Sequence, residues 1–197
     1  MISGNFIDWK LRLANMAKLI VCLTGMPGAG KTTIADGLKS KGFEKITMGD
    51  AVRAEAARRK LEPTGENLGK LMLELREKNG PGAVAELIKN QIGNSKSDVI
   101  VIDGVRSIAE VDVLKKFGTV KLLSIHASAD TRFKFLSERR RSDFPAGRED
   151  FDKRDSREMG IGMSNSIALA DETLSNNNLT IPQLVDAAYN IIKGWAK

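Results

Sequence analysis

The chain predicts an α/β fold, a parallel sheet with helices on both faces, and three observations predict it. Short apolar, β-branched runs recur along its 197 residues with helix-length stretches between them. The first run leads directly into Gly25-Met-Pro-Gly-Ala-Gly-Lys-Thr32, a complete G-x-x-x-x-G-K-[ST] phosphate-binding loop, and a helical pattern follows it. Polar residues then gather just after the runs, where ligands collect in open parallel sheets.

In chain order, Lys18-Leu-Ile-Val-Cys-Leu-Thr24 reads as a fully buried first strand, because it is continuously apolar rather than alternating. Residues 32–41 form the helix behind the loop, and residues 43–48 a short second strand. Helices are expected over 50–60, 65–78 and 81–92. The third strand is Asp98-Val-Ile-Val-Ile-Asp103. A helix over 107–116 leads to a fourth strand over 120–126, helices over 129–140 and 148–158, a fifth strand over 172–175 and a final helix over 181–195. Residues 1–17 precede the first strand by more than such a domain needs. They are expected to be an N-terminal extension, either loosely attached or the product of a misassigned start, with Met16 as the natural beginning.

Length limits the chain to one domain over residues 18–197. The single cysteine, Cys22, lies inside the first strand and reads as a small core residue, so no disulfide and no zinc site are expected. No run is long enough to span a membrane and the start lacks a secretion signal, which points to a cytoplasmic protein without a membrane partner. The net charge of +6 suits a site for several phosphates as well as it suits a nucleic acid. Aromatic residues make up only 5% of the chain and are not interleaved with basic segments, so a nucleic-acid partner is the less favoured reading. Oligomeric state is left open.

The loop sets the expected ATP site as Gly25, Met26, Pro27, Gly28, Ala29, Gly30, Lys31, Thr32 and Thr33. Gly28 and Gly30 are free to take positive φ, so successive N–H groups can line a nest at the positive end of a helix. Lys31 suits the β- and γ-phosphate oxygens, the Thr32 hydroxyl suits Mg²⁺ between them, and Thr33 falls near the α-phosphate. Two strand ends repeat one pattern, an acid followed three residues later by an arginine: Asp50 to Arg53 and Asp103 to Arg106. Asp103 is placed like the acid of a Walker B strand, which orients Mg²⁺ through water, while Arg53 and Arg106 are suited to converge on a second anionic group.

These residues carry a family resemblance. Ile46-Thr-Met-Gly-Asp-Ala-Val-Arg53, Thr64-Gly-Glu-Asn-Leu-Gly-Lys70 and Val101-Ile-Asp-Gly-Val-Arg-Ser-Ile-Ala-Glu-Val-Asp112 resemble the monophosphate-binding half of adenylate kinases in order and spacing. The stretches 125–132 and 168–177 are more similar to dephospho-coenzyme A kinases. Residues 18–195 as a whole resemble an archaeal group of adenylate-kinase-related, dephospho-coenzyme-A-kinase-like P-loop proteins. The resemblance implies a P-loop NTPase core with strands in the order 2-3-1-4-5, an acceptor-binding insertion over about 50–92 and a lid over about 137–158. It implies that Arg53 and Arg106 hold an acceptor phosphate and that Asp103 is the acid of an Asp-Gly turn. Asp103-Gly-Val-Arg106 is one residue shorter than the adenylate kinase pattern. Glu110 stands where those enzymes place an adenine-reading glutamine, and it reads either as an acceptor residue or as an exposed helix residue.

The stretch from Thr131 to Asp143 starts as an amphipathic helix and ends in three consecutive arginines, Arg139 to Arg141. The resemblance makes Arg139, Arg141, Arg154 and Arg157 lid residues that reach the transferred phosphoryl group, leaving Arg140 and Arg148 as solvated charges. Asp50 is the base if the acceptor is a hydroxyl. It is a positioning group or helix N-cap if the acceptor is a phosphate. His126 reads as structural, and Asn176 to Asn178 as either a turn bordering adenine or an ordinary polar turn. The expected function is transfer of the γ-phosphoryl group of ATP, with Mg²⁺, to a nucleotide-like acceptor. A nucleoside monophosphate comes first and dephospho-coenzyme A next; the alternative is an ATPase switch acting on an RNA or protein.

Overall fold

The computed structural model describes residues 18–139 and 147–197. The expected N-terminal extension and residues 140–146 of the expected lid lie outside the described residues. Five strands, β1 (Leu19–Thr24), β2 (Glu44–Thr47), β3 (Val99–Asp103), β4 (Thr119–His126) and β5 (Glu172–Ser175), make one parallel sheet in the order β2-β3-β1-β4-β5. The expected order is therefore the observed one.

Each face of the sheet carries its own apolar layer. On one face Leu19, Val21 and Leu23 of β1 pack with α1 (Lys31–Ser40) and the terminal α10 (Ile181–Trp195). Gly37 is required there, since a Cβ would lie 2.4 Å from a methyl of Val185. On the other face Ile20, Cys22, Ile100 and Ile102 pack against α2 (Met48–Arg58), α3 (Gly65–Asn79), α4 (Ala83–Glu86), α5 (Lys89–Asn94) and α6 (Ile108–Leu114). Because β1 and β3 are covered on both sides, every residue in them is buried, and their sequences run continuously apolar. Burial pushes the Cys22 thiol up, an effect reinforced by the charges of Glu110 and Asp171, as befits an inert core residue.

The structure corrects the expected helices in three places. The stretch 81–92 is two short helices rather than one. Ala83, Val84 and Ala85 are all buried, and three successive positions cannot share a single helical stripe, so this turn is enclosed instead of amphipathic. The helix expected over 107–116 ends at Leu114 and tightens into a 3₁₀ turn over Lys115–Phe117. Beyond α7 (Ala129–Arg139) and α8 (Arg148–Gly160) lies an unforeseen helix, α9 (Met163–Ala168). It starts from Gly162 in the left-handed region and packs on β1 and β4 through Met163 and Ser166. The Thr24 and Ser166 hydroxyls meet there at 2.8 Å.

Candidate functional site

Parallel register places the carboxyl ends of three strands side by side. Thr47 of β2 pairs with Asp103 of β3, and Asp103 pairs with Leu23 of β1. The phosphate loop rises from β1 at this level. Gly28 and Gly30 have φ of 83° and 108°, as expected for a loop that turns its amides inward. Gly30 is also demanded by close approach, since a Cβ there would sit 2.6 Å from Asn176 Nδ2. That amide belongs to a brace. Asn176, buried just after β5, donates Nδ2–H to the Ala29 carbonyl at 2.9 Å and its backbone N–H to the His126 carbonyl at 2.7 Å.

Lys31 opens α1 and donates to the carbonyls of Gly25 and Met26 at 2.6 and 3.1 Å. Burial pulls its ammonium down to about 8 from an ordinary 10.5; Asp103 opposes the shift, Arg106 and Arg154 add to it, and Glu158 opposes it. The Thr32 hydroxyl donates to Asp103 Oδ2 at 2.8 Å, and Thr33 is half-buried in the first turn of α1. A second brace holds the loop from the other side. Arg132 of α7 is buried, donates Nη1–H to the Pro27 carbonyl at 3.0 Å, and forks onto Asp155 of α8 at 2.9 and 2.6 Å. Its guanidinium also lies 4.8 Å from the Phe151 ring centre.

A cleft of about 230 Å³ runs from Lys31 and Thr32 past Asp103 to Arg53, Arg76 and Arg106. The expected acceptor arginines do reach this cleft, each already holding a carboxylate. Arg53 pairs with Asp50. Arg106 donates Nη1–H to Glu158 Oε1 at 2.9 Å. Arg76, which sequence reading did not single out, donates Nη2–H to Glu110 Oε1 at 2.9 Å.

Three expectations for individual residues, at Asp50, Glu110 and Arg157, are corrected, and two, at Arg139 and Arg141, are left open. Asp50 lies in the first turn of α2 with its side chain 69% exposed, outside the cleft lining, and Thr47 rather than Asp50 is the N-cap. Glu110 is fully buried, so the exposed-residue reading fails. Its Oε2 accepts the Arg106 backbone N–H at 2.7 Å, leaving both oxygens engaged within the protein instead of turned toward a base. Arg154 lines the cleft; Arg157, one turn on, is exposed and outside the lining, because the inward face of α8 continues through Glu158. The Arg139 side chain and all of Arg141 lie outside the described residues. Arg148, as expected, is an exposed charge, paired with Asp130 and Asp152.

One local signal for Glu110 was present. Ser107-Ile-Ala-Glu110 has capping-box spacing, and the Ser107 hydroxyl does accept the Glu110 N–H at 3.3 Å. The carboxylate then turns back to Arg106 rather than to Ser107. Arg76, Arg132 and Glu158 had no such signal, because their partners are 34, 23 and 52 residues away.

Strand order, phosphate loop and bracing together define a P-loop domain of kinase-like architecture, and a family model described as an AAA domain matches residues 24–153. The chain belongs to the UPF0200 family. It is 43% identical over 159 residues to a UPF0200 protein of Hyperthermus butylicus, covering 81% of this chain and 86% of that relative. A UPF0200 protein of Staphylothermus marinus is 39% identical over 178 residues, 90% of this chain and 93% of its own. Among solved structures, TT1252 from Thermus thermophilus superposes with a TM-score of 0.66 at 18% identity, covering 92% of this chain and 99% of that one. Shikimate kinase from Bacteroides thetaiotaomicron superposes with a TM-score of 0.58 at 17% identity, covering 89% and 98%. At these identities the structures speak to the fold. Among the described residues no helix is long and apolar enough to cross a membrane.

Proposed function

We propose that this protein is a small-molecule kinase that transfers the γ-phosphoryl group of ATP to a nucleotide-like acceptor. The observation that carries the reading is a single cleft with a phosphate loop at one end and Arg53, Arg76 and Arg106 at the other. A hydrolytic switch needs only the first end. In this reading Gly25 to Thr33 bind ATP, Lys31 neutralises the β- and γ-phosphates, and Arg154 faces the transferred group, with Arg139, Arg141 and Arg157 as further lid residues. The transition state of phosphoryl transfer spreads charge over oxygens, so such positioning and neutralisation are the main requirements.

Residues 50–92, which take in most of α2, all of α3 and α4 and the start of α5, are assigned as the acceptor-binding insertion, and residues 137–158 as the lid. The Thr32 hydroxyl and the Asp103 carboxylate, 2.8 Å apart beside the loop, are the hard oxygen donors that Mg²⁺ prefers. Thr32 would hold the ion directly and Asp103 through water. When bound, Mg²⁺ neutralises charge on the phosphates. A nucleoside monophosphate is favoured by Arg53 and Arg106, and dephospho-coenzyme A by resemblance over the C-terminal stretches.

The test is incubation with ATP and Mg²⁺ in the presence of AMP, other monophosphates or dephospho-coenzyme A, with acceptor-free hydrolysis recorded in parallel. Phosphorylated product in step with ADP is expected. Hydrolysis indifferent to every acceptor but stimulated by RNA would instead establish the switch.

A further inference from the structure

Glu158 is the group in the cleft that neither end of the proposed reaction has used. It is 3% exposed, it lines the cleft from α8, and only one of its oxygens is satisfied. Oε1 accepts from Arg106, whereas Oε2 is buried without a hydrogen-bond partner among the described residues. Leaving a buried carboxylate oxygen unpaired is destabilising by more than a typical hydrogen bond contributes, so native proteins rarely tolerate one without a use. Glu158 lines a cleft that also contains Lys31, Asp103 and Arg154, so a rotation of its carboxyl group is enough to bring this oxygen to a bound acceptor.

We propose that Glu158 is the catalytic base and that the acceptor group is a hydroxyl, a choice that rests on the kinase reading above. A hydroxyl supplies what Oε2 lacks, a proton to donate. An acceptor phosphate oxygen is already anionic, has nothing to donate, and would meet a carboxylate at close range. The ion pairs bear on the same choice: Arg53, Arg76 and Arg106 already hold Asp50, Glu110 and Glu158, so a phosphate at the reacting position would have to displace a resident carboxylate, whereas a hydroxyl would not. Asp50, the strand-end candidate, is exposed, outside the lining and held by Arg53, whereas Glu158 is enclosed where the chemistry would occur.

In the step itself, the acceptor O–H gives its proton to Glu158 Oε2 as its oxygen bonds to the γ-phosphorus. The bond from that phosphorus to the β–γ bridging oxygen breaks, and ADP leaves with the electron pair. The phosphorylated acceptor is a monoester, and Glu158 returns its proton to solvent. Arg106 holds Oε1 throughout, fixing the direction of the free oxygen.

The experiment compares wild type with Glu158→Gln in ATP and Mg²⁺ with AMP or CMP as phosphate acceptors, adenosine or dephospho-coenzyme A as hydroxyl acceptors, and water alone in the hydroxyl's place. Phosphorus NMR separates monoester from anhydride products. The expected result is a monoester formed from a hydroxyl acceptor, with kcat lowered at least about 100-fold in Glu158→Gln and KM for ATP little changed, whereas hydrolysis that no acceptor alters overturns the kinase reading. Formation of ADP or CDP from the added monophosphate overturns the proposal, as does a fall in kcat of less than about threefold. If Glu158→Gln does not fold, Glu158→Asp keeps the acid but withdraws it by one methylene, and an unchanged rate in that variant counts equally against it. No consumption of ATP by wild type in any mixture would be a different failure, that of the kinase reading itself.

Discussion

The two ends of the cleft are built on different principles. The phosphate-loop end is contiguous: eight successive residues supply the backbone, the lysine and the threonine, and two distant side chains, Asn176 and Arg132, only brace it. The arginine end, the proposed acceptor site, is assembled from α2, α3, the turn after β3, α6 and α8, and Arg53, Arg76 and Arg106 are each matched with a carboxylate. One end is thus a rigid nest of fixed dipoles and the other a set of ion pairs in which substrate must compete with, or cooperate with, a resident partner. Generality in donor binding needs only the first, while selectivity among acceptors has to come from the second.

The contrast is sharpest at Lys31. Lys31→Ala should lower ATP turnover by at least about 100-fold, because the γ-phosphate loses its one contiguous cation; steady-state ADP release measures it. Next in size is Arg132→Ala, which leaves Asp155 without its fork and the Pro27 carbonyl without its donor. Unfolding in urea should show a loss of about 3 kcal/mol, with KM for ATP raised in the surviving protein. On the acceptor side, Arg53→Ala should lower acceptor-dependent kcat/KM by about tenfold with ATP affinity unchanged, because its guanidinium is half-exposed and shared with Asp50. Equal losses of ATP binding in Lys31→Ala and Arg53→Ala would erase the distinction between the two ends.

The smallest effect is one of pH. With the Lys31 ammonium lowered to about 8, the free protein sheds that proton between pH 8 and 10.5 while a lysine in the unfolded chain still holds it. The unfolded state then binds more protons, so the Lys31 contribution to stability rises with pH across that window and is unfavourable and constant below it. Triphosphate binding has the opposite dependence, because the bound form needs the ammonium. ATP affinity should fall by about fivefold between pH 8 and 9. Calorimetry at pH 8.5 in two buffers of different ionisation enthalpy should detect proton uptake on binding, and none should appear in Lys31→Ala.

The same division governs what could be read from sequence. Sheet, strand order and loop were legible because each depends on local patterns: β-branched runs for β1 and β3, glycines at fixed spacing for the turn, and an order implied by family resemblance. The reach of Arg53 and Arg106 into the cleft was legible too, from their position just after strand ends. Their counter-charges were not. Glu158 looks in sequence like any acid on a charged helix, and only the fold brings it 2.9 Å from Arg106. Asn176 was read as bordering a base or as an ordinary turn; its further role, an amide that closes the gap beside Gly30, depends on a contact 147 residues away. Helix α9 escaped because six residues after a glycine are too few to establish a period.

Arg132 gives the molecule a mechanical property as well as a stabilising one. Its guanidinium grips α8 at Asp155, close to the midpoint between Arg148 and Gly160, and is itself moored to the loop at Pro27. A rod pinned near its middle cannot slide; it can only tilt. At a rise of about 1.5 Å per residue, roughly 10 Å of α8 lies on the Arg148 side of the pin and somewhat less on the Gly160 side. Any swing that retains the pin therefore carries Arg148 and Gly160 in opposite directions, while Arg154, next to the fulcrum, scarcely leaves its station beside the phosphate loop.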